Sequence, residues 1–543
     1  MKISNIFLAF VTLSLSQCSW FNKKPQVKAP LEIPNVDVEN LSINFPEKPV
    51  YNTGSIKTSI ESEVTYDYLD FYEISDFHGA VNYEVSSTGT AKLGLAKLAT
   101  YLNNKRALNE GGTFVLSTGD MFQGSAESNL TRGYLVNYSM QYMGFDAMAV
   151  GNHEFDWTDE WLKKNSELSY NTSTIPYLGI NIIDKQTNEI PTFLKKSVTI
   201  ERGGYKVGII GSIGPTLTSS ILASCVANYD FVDETELVEA EASRLKGDGC
   251  DFVILLAHDG VDQLHSYSGV DAIFGGHAHI KQSTNVTVPI AATSNYGQSV
   301  AHISFKINRN TKQYTVETCT VEEMLASEVS SLEDNLGVKN IYDQYAVEVN
   351  KIKNIKLGTA NDDLLINGAL KNICTTSMFD AAKKSVTEEG IKNLDGTNID
   401  STKIVASFHN VNGGIRTDIL KGTITYGSVY SPFPFDNEIV LLKFKGSFLK
   451  NKYNGMANLG TYKIFDDKNY FDVNEYYYIV ATDYIALSTS FLNNQVSFTS
   501  IDDSKLIHTG KIVRDVVAKF IYEKDSISSD DFMNKKEYNP ISM

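Results

Sequence analysis

The 543-residue chain reads as an α/β protein, and three observations predict it. Five short apolar runs of strand length, Tyr68 to Ile74, Thr113 to Leu116, Ala147 to Val150, Asp251 to Leu256 and Val270 to Phe274, each stop abruptly at a polar segment. Further on, Val300, His302 and Ser304 alternate with Ala301, Ile303 and Phe305, the period of a half-buried strand. Between Glu328 and Lys353 the apolar residues Leu332, Leu336, Ile341, Tyr345, Val349 and Ile352 recur near the helical period, with many charges between them.

Taken in order, Lys2 and the apolar Ile6 to Leu15 have the charged start and short core of an export signal. A membrane span needs about 18 or more apolar residues, which this stretch lacks and no later run approaches. Leu15-Ser16-Gln17-Cys18 resembles a bacterial lipobox, with Gln17 where Gly, Ala or Ser is usual. Residues 1–18 are therefore expected to be a lipoprotein signal peptide, with Cys18 the lipidated first residue of an exported protein, periplasmic or anchored at the outer membrane. A simple cleaved secretory peptide is the alternative. Residues 19–63 are rich in Pro, Lys, Asn and Glu without an apolar period, the composition of a flexible tether. A first domain is expected over 64–322, closing with the strand-like Ser299–Ile307 and Tyr314–Val321. A connecting helix lies within 323–355, a second domain covers 356–525, and 526–543 is a tail.

The polar segments that end the five runs are Asp76-Phe77-His78-Gly79, Gly119-Asp120, Gly151-Asn152-His153-Glu154-Phe155-Asp156, Ala257-His258-Asp259-Gly260 and Gly275-Gly276-His277-Ala278-His279. Singly, Gly-Asp or Asp-x-His is an ordinary turn. Together they hold five of the nine histidines of the chain, with carboxylates and an amide beside them. That is the ligand inventory of a two-metal site. In open α/β sheets the carboxyl ends of strands line the ligand crevice, so these segments can meet at one mouth.

In this order and spacing the segments resemble the calcineurin-like metallophosphoesterases, and more narrowly the 5'-nucleotidase family in its bacterial, lipoprotein-type form. The stretch Tyr142 to Asp156 is similar to the family signature almost residue for residue. The resemblance covers about residues 65 to 520. It implies an N-terminal four-layer α/β/β/α sandwich and a C-terminal α/β substrate domain. It further implies that Asp76, His78 and His279 hold one divalent ion, that Asn152, His258 and His277 hold the other, and that Asp120 bridges them. A water shared by the ions would attack phosphorus in line. His153 would be catalytic, a cationic donor to phosphoryl oxygens, oriented by Asp156. The ions could be Zn, Mn, Co or Mg, since this donor set accepts each of them.

In the second half, Asn412-Gly413-Gly414-Ile415-Arg416 resembles the family's phosphate-binding loop, in which glycines admit the anion and the guanidinium grips it. Pro434-Phe435-Asp436-Asn437 resembles Pro-Phe-Gly-Asn, whose Phe stacks on a nucleobase, and Tyr484 falls near the second clamp aromatic. Asn412, Arg416, Phe435, Asn437 and Tyr484 are thus the expected substrate contacts. There are departures. Asn361 to Ile373 contains no Arg where the resemblance implies phosphate-binding arginines, and five residues before Arg416, where it implies Asn, stands Val411, between Asn410 and Asn412. Ser488 to Phe491 replaces the family's ribose-binding Gly-Gly-Asp-Gly.

The expected activity is release of phosphate from 5'-nucleotides. The alternatives are hydrolysis of other small phosphoesters, including 2',3'-cyclic nucleotides, and a surface lipoprotein acting mainly as a binding module. Asp156 matches the 5'-nucleotidase form of the signature rather than the cyclic-nucleotide form, and an intact ligand set argues against a purely binding role. A net charge of −17 argues against nucleic-acid polymers as partners. Cys225, Cys250, Cys319 and Cys374 allow up to two disulfides in an oxidising compartment, or buried free thiols.

Overall fold

The computed structural model describes residues 30–411, 413–452, 460–465, 468–487 and 503–533. Contacts divide the chain after Ile33 into two units, and the second, from Pro34, holds both halves of the fold.

Two mixed sheets form its first half. The first contains β1 (Thr58–Glu61), β2 (Val64–Glu73), β3 (Thr113–Ser117), β4 (Ala147–Ala149) and β5 (Tyr177–Leu178). The second contains β6 (Ser197–Arg202), β7 (Tyr205–Ile213), β8 (Phe252–His258), β9 (Ala272–Gly275), β10 (Gln282–Asn285) and β11 (Pro289–Ala292). The chain then returns to the first sheet with β12 (Ser299–Asn308) and β13 (Tyr314–Glu323). Strand order is β13-β12-β2-β3-β4-β5, with β1 paired to β2, in the first sheet and β10-β11-β9-β8-β7-β6 in the second. The runs that end in ligand segments are parallel to their neighbours: β2 with β3, β3 with β4, and β8 with β9.

Alternation of side chains sets the layers. Leu69, Phe71, Phe114 and Leu116 of the first sheet meet Val207, Ile209, Ile254 and Leu256 of the second in one core, which Ala301, Ile303 and Phe305 also enter. The opposite face of the first sheet (Tyr72, Val115, Met148) packs on α1 (Gly94–Arg106) and α2 (Tyr134–Met143) through Leu98, Leu102, Leu135 and Met140. The outer face of the second sheet (Ile210, Val253, Leu255) packs on α3 (Thr235–Gly247) through Val238, Ala242 and Leu245. Each fully buried Leu or Ile contributes about 1.5–3 kcal/mol, so three such cores hold the four-layer α/β/β/α sandwich.

The connecting helix, α4, runs Leu336–Lys353 and starts later than the apolar spacing suggests. Asn335 decides the start, because its side chain accepts from the amides of Gly337 and Val338. Beyond it lies a five-stranded sheet in the order Gly460–Lys463, Ile404–His409, Tyr476–Thr482, Glu438–Lys445, Ile507–Ile512. The helices Lys371–Thr387 and Val513–Lys524, which contact each other, pack against strands of this half.

Two boundaries need correction. The expected tether, 19–63, is packed from Pro34 onward: Val38 is buried, Phe45 lies against Tyr138 and Tyr170, and β1 pairs with β2. Isolated anchors separated by polar residues leave no period in the sequence. The expected tail, 526–543, begins as a strand, Ser526–Ile527, parallel to Lys356–Ala360, and continues into a short helix whose Phe532 is buried. Cys225, Cys250, Cys319 and Cys374 are free thiols, the first three in or against three different cores of the first half and Cys374 buried in the second. Among the described residues no helix is long and apolar enough to cross a membrane. Cys18 lies outside the described residues.

Candidate active site

All five segments turn at the carboxyl ends of their strands and converge. The turns are so tight that Asp76, His78, Asp120, His277 and His279 adopt left-handed backbone, with φ between 47° and 64°. Such conformations cost on the order of 1–3 kcal/mol each and persist only where the surroundings fix them. Glu154 does part of that fixing. Its buried carboxylate accepts from the amides of Asp120 (2.7 Å), Met121 (2.8 Å) and Gly151 (2.8 Å), tying two segments together. Burial, then the neighbouring Asp120, pushes its pKa up to about 7. Gly151 is dictated by close approach, since a Cβ there would lie 2.3 Å from Asp120 Oδ1.

Asp76, His78 and His279 form one group of donor atoms, and Asp120, His258 and His277 another, each within 4.8 Å. Asp120 also groups with His78 and His153, so it stands between the two. Asn152 joins the second group, its Oδ1 lying 3.1 Å from His258 Nε2 and 2.9 Å from His277 Nδ1. Backbone carbonyls set the tautomers: His78 Nδ1 donates to Gln123 O (2.9 Å) and His258 Nδ1 to Thr118 O (2.7 Å). Each ring thereby turns its Nε2 inward, the atom that ligation would use. Burial lowers His78 to about 3, and burial with the neighbouring His258 lowers His277 to about 4, which favours neutral rings. At His258 burial opposes charge, but Asp120 above all, then Asp76 and Glu154, raises the pKa to about 10. Two carboxylates, one amide oxygen and four imidazoles converging on one centre fit a pair of divalent cations.

His153 belongs to the same turn as Asn152 and has one donor atom within 4.8 Å of those of Asp120 and His78. Its Nδ1 lies 2.8 Å from Asp156 Oδ2, and its amide donates to Asp120 Oδ1 (2.8 Å). Burial disfavours the charged ring, yet Asp156 and Asp120 outweigh it and hold the pKa at about 9.

A cavity of about 280 Å³ opens over this centre. Asp120, Asn152, His153, Asp156, His277 and His279 form its floor, and Arg416, Phe435, Asn437 and Tyr484 reach it from the second half. Asp76, His78 and His258 are buried beneath. The Phe435 ring centroid is 5.9 Å from that of His153, and the Arg416 guanidinium sits 5.1 Å from the Phe435 centroid. Every expected site residue within the described part therefore meets here; Asn412 lies outside it. Sequence reasoning passes over Gln123, Trp157 and Asn410, which also line the cavity, and Asp436, whose carboxylate joins Arg132 to Arg514. For Asn410 a signal exists, its place beside the missing family Asn.

Residues 69–281 match the calcineurin-like phosphoesterase family model, and residues 356–458 match the 5'-nucleotidase C-terminal domain. An endonuclease of Bacillus subtilis, YhcR, is 25% identical over 422 residues, 72% of this chain and 33% of its own length. The chain thus spans about a third of that relative. A protein of Treponema pallidum described as a probable 5'-nucleotidase is 24% identical, covering 66% of this chain and 68% of its own. Among solved structures, a 5'-nucleotidase precursor from Thermus thermophilus superposes with a TM-score of 0.67 at 18% identity, over 88% of this chain and all of that one, a likeness of fold. Residues 69–281 belong to the calcineurin-like phosphoesterases, and residues 356–458 after them to the C-terminal domain of the 5'-nucleotidases.

Proposed function

We propose that the chain is an exported two-metal phosphohydrolase that releases phosphate from 5'-nucleotides and is held at a membrane surface by a lipid on Cys18. The observation that carries the reading is the single cavity in which the donor cluster of the first half faces Arg416, Phe435 and Tyr484 of the second. The 5'-nucleotidases among its relatives and structural neighbours support it.

Asp76, His78 and His279 would hold one ion, and Asn152, His258 and His277 the other, with Asp120 shared. Two such ions supply Lewis-acid charge and lower the pKa of an attacking water. His153, charged and oriented by Asp156, donates to the phosphoryl and leaving oxygens as negative charge builds there. Arg416 neutralises the remaining phosphate charge. Phe435 and Tyr484 stack on the base, and Asn437 and Asn412 hydrogen-bond the polar edge of the substrate.

One observation favours a broader substrate range. A second cavity of about 380 Å³, bordered by Tyr296 and Lys353, shares Gln123, Arg416 and Pro434 with the first. It would accommodate the second arm of a small phosphodiester. The test is a panel of 5'-nucleotides, 2',3'-cyclic nucleotides, a dinucleotide and a ring-free alkyl phosphate, assayed on metal-reconstituted protein. The reading expects 5'-nucleotides to have the highest kcat/KM. A panel led by the diester would transfer the function to the second reading, and no turnover of any ester would leave a binding module.

A further inference from the structure

Asp436 stands in the Pro-Phe-x-Asn turn and is shared by two arginines that come from different halves of the molecule. Its Oδ2 is 3.0 Å from Arg132 Nη1, between the first-half helices Ala126–Leu130 and Tyr134–Met143, and its Oδ1 is 2.6 Å from Arg514 Nη2, in the first turn of the second-half helix Val513–Lys524. Arg514 is buried and spends its remaining donors on the same turn: Nη1 faces the carbonyls of Phe433 (3.3 Å), Pro434 (3.2 Å) and Phe435 (3.4 Å), and Nε donates to the Tyr426 hydroxyl (3.0 Å). From the first half, Asn129 Nδ2 donates to Pro434 O (2.9 Å). The Arg132 guanidinium is 5.6 Å from the ring of Trp157, which lines the substrate cavity. Burial opposes a charge on Asp436, yet Arg514 and then Arg132 hold its carboxyl below the usual range.

These contacts fall on the turn that carries Phe435, whose ring centroid lies 5.9 Å from that of His153. We propose that Asp436 is a positioning residue: the Arg132–Asp436–Arg514 bridge closes the cleft between the halves and sets Phe435 at the distance at which a base-bearing substrate is gripped. The bridge is a charge pair across the cleft, so it can open and re-form during turnover, whereas the Arg514 side stays with its own half. The substrate part of this inference rests on the nucleotide reading above; the bridge itself does not.

The experiment compares Arg132→Met, Asp436→Ala and the double variant with the parent protein in the metal-loaded state. Two readouts are taken, amide hydrogen exchange of the segment 432–438 and steady-state kinetics on a 5'-nucleotide and a ring-free alkyl phosphate. Arg132→Met leaves the Arg514–Asp436 pair intact and guards against misfolding in Asp436→Ala. The expected result is faster exchange of the 432–438 segment by roughly tenfold in either single variant and no more in the double. Nucleotide KM should rise about 5- to 20-fold with kcat within about twofold, and alkyl phosphate kinetics should not change. Unaltered exchange in Arg132→Met, or strictly additive KM effects in the double variant, would overturn the bridge. If the parent shows no preference for nucleotide over alkyl phosphate while the exchange result appears, the nucleotide reading fails and the bridge stands.

Discussion

His153 and Asp156 form one half-buried pair, Nδ1 to Oδ2 2.8 Å, three residues apart at the end of the Asn152–Phe155 turn. On the proposed mechanism the pair leaves Nε2 of a charged ring for the substrate, while the Oδ1 of Asn152, one residue earlier, lies 2.9 Å from His277 Nδ1. His153→Ala should therefore lower kcat by about 10² to 10⁴, the range for one positioned acid or electrostatic group, and leave two bound metals per chain. Asp156→Asn should follow it in kcat with a smaller loss. A His153→Ala protein that had lost a metal would assign this ring to the ligands instead.

Asp483 gives stability a pH dependence independent of the metal centre. It is buried and accepts from the amides of Glu438 (3.0 Å) and Tyr484 (2.7 Å). Burial first, aided by Glu438 and opposed by these amides and His508, raises its pKa from 3.8 to about 7. An acid whose folded pKa is raised holds its proton longer in the folded state, so stability falls as pH rises from about 4 through about 7 and is level above that. The loss is on the order of 1–4 kcal/mol. Asp483→Asn keeps the acceptor and removes the titration, so its Tm at pH 8 should exceed that of the parent by a few degrees, with little gain at pH 4. Parallel Tm–pH curves for the two proteins would exclude Asp483 as the cause.

On the proposed function Arg416 and Phe435 divide substrate recognition between phosphate and base. Stacking is worth about 1–3 kcal/mol per base, or roughly 5- to 150-fold in kcat/KM. Phe435→Ala should lose that factor on nucleotides and nothing on an alkyl phosphate, and Arg416→Ala should weaken both alike. Because the family's ribose-binding segment is replaced at Ser488 to Phe491, ribo- and deoxyribonucleotides should differ by less than about tenfold. Equal losses on both esters for Phe435→Ala would make this ring a packing residue and reduce the function to general phosphomonoesterase.

Cys18→Ala should move the protein from membrane to soluble fractions, since acyl chains on Cys18 would be its hydrophobic anchor. Fractionation of cells expressing each form reads this out. A processed variant that stayed with the membrane would remove the lipid anchor.

The donor cluster is legible in the sequence because its chemistry is local: an apolar run ends, the chain turns, and a ligand follows within two to five residues. The left-handed backbone at Asp76, His78, Asp120, His277 and His279 is not legible, since it is imposed by neighbouring strands and by Glu154 rather than by residue type. Packing of 34–63 escapes a sequence reading because single anchors such as Val38 and Phe45 carry no period. Asp436 reads only as a departure from the family's glycine; its meaning depends on Arg132, distant in sequence and brought alongside only when the two halves meet.

Two ions acting together are tested most directly by following phosphate release from a 5'-nucleotide against the number of metal ions bound per chain. Protein stripped with chelator is titrated with Mn or Zn, in parallel with Asp120→Ala. The two-metal mechanism predicts no turnover in the stripped protein, recovery that tracks occupancy up to two ions, and no recovery in Asp120→Ala, whose carboxylate stands between both groups of donors. Full turnover by the metal-free protein, or full activity at two ions in Asp120→Ala, would contradict it.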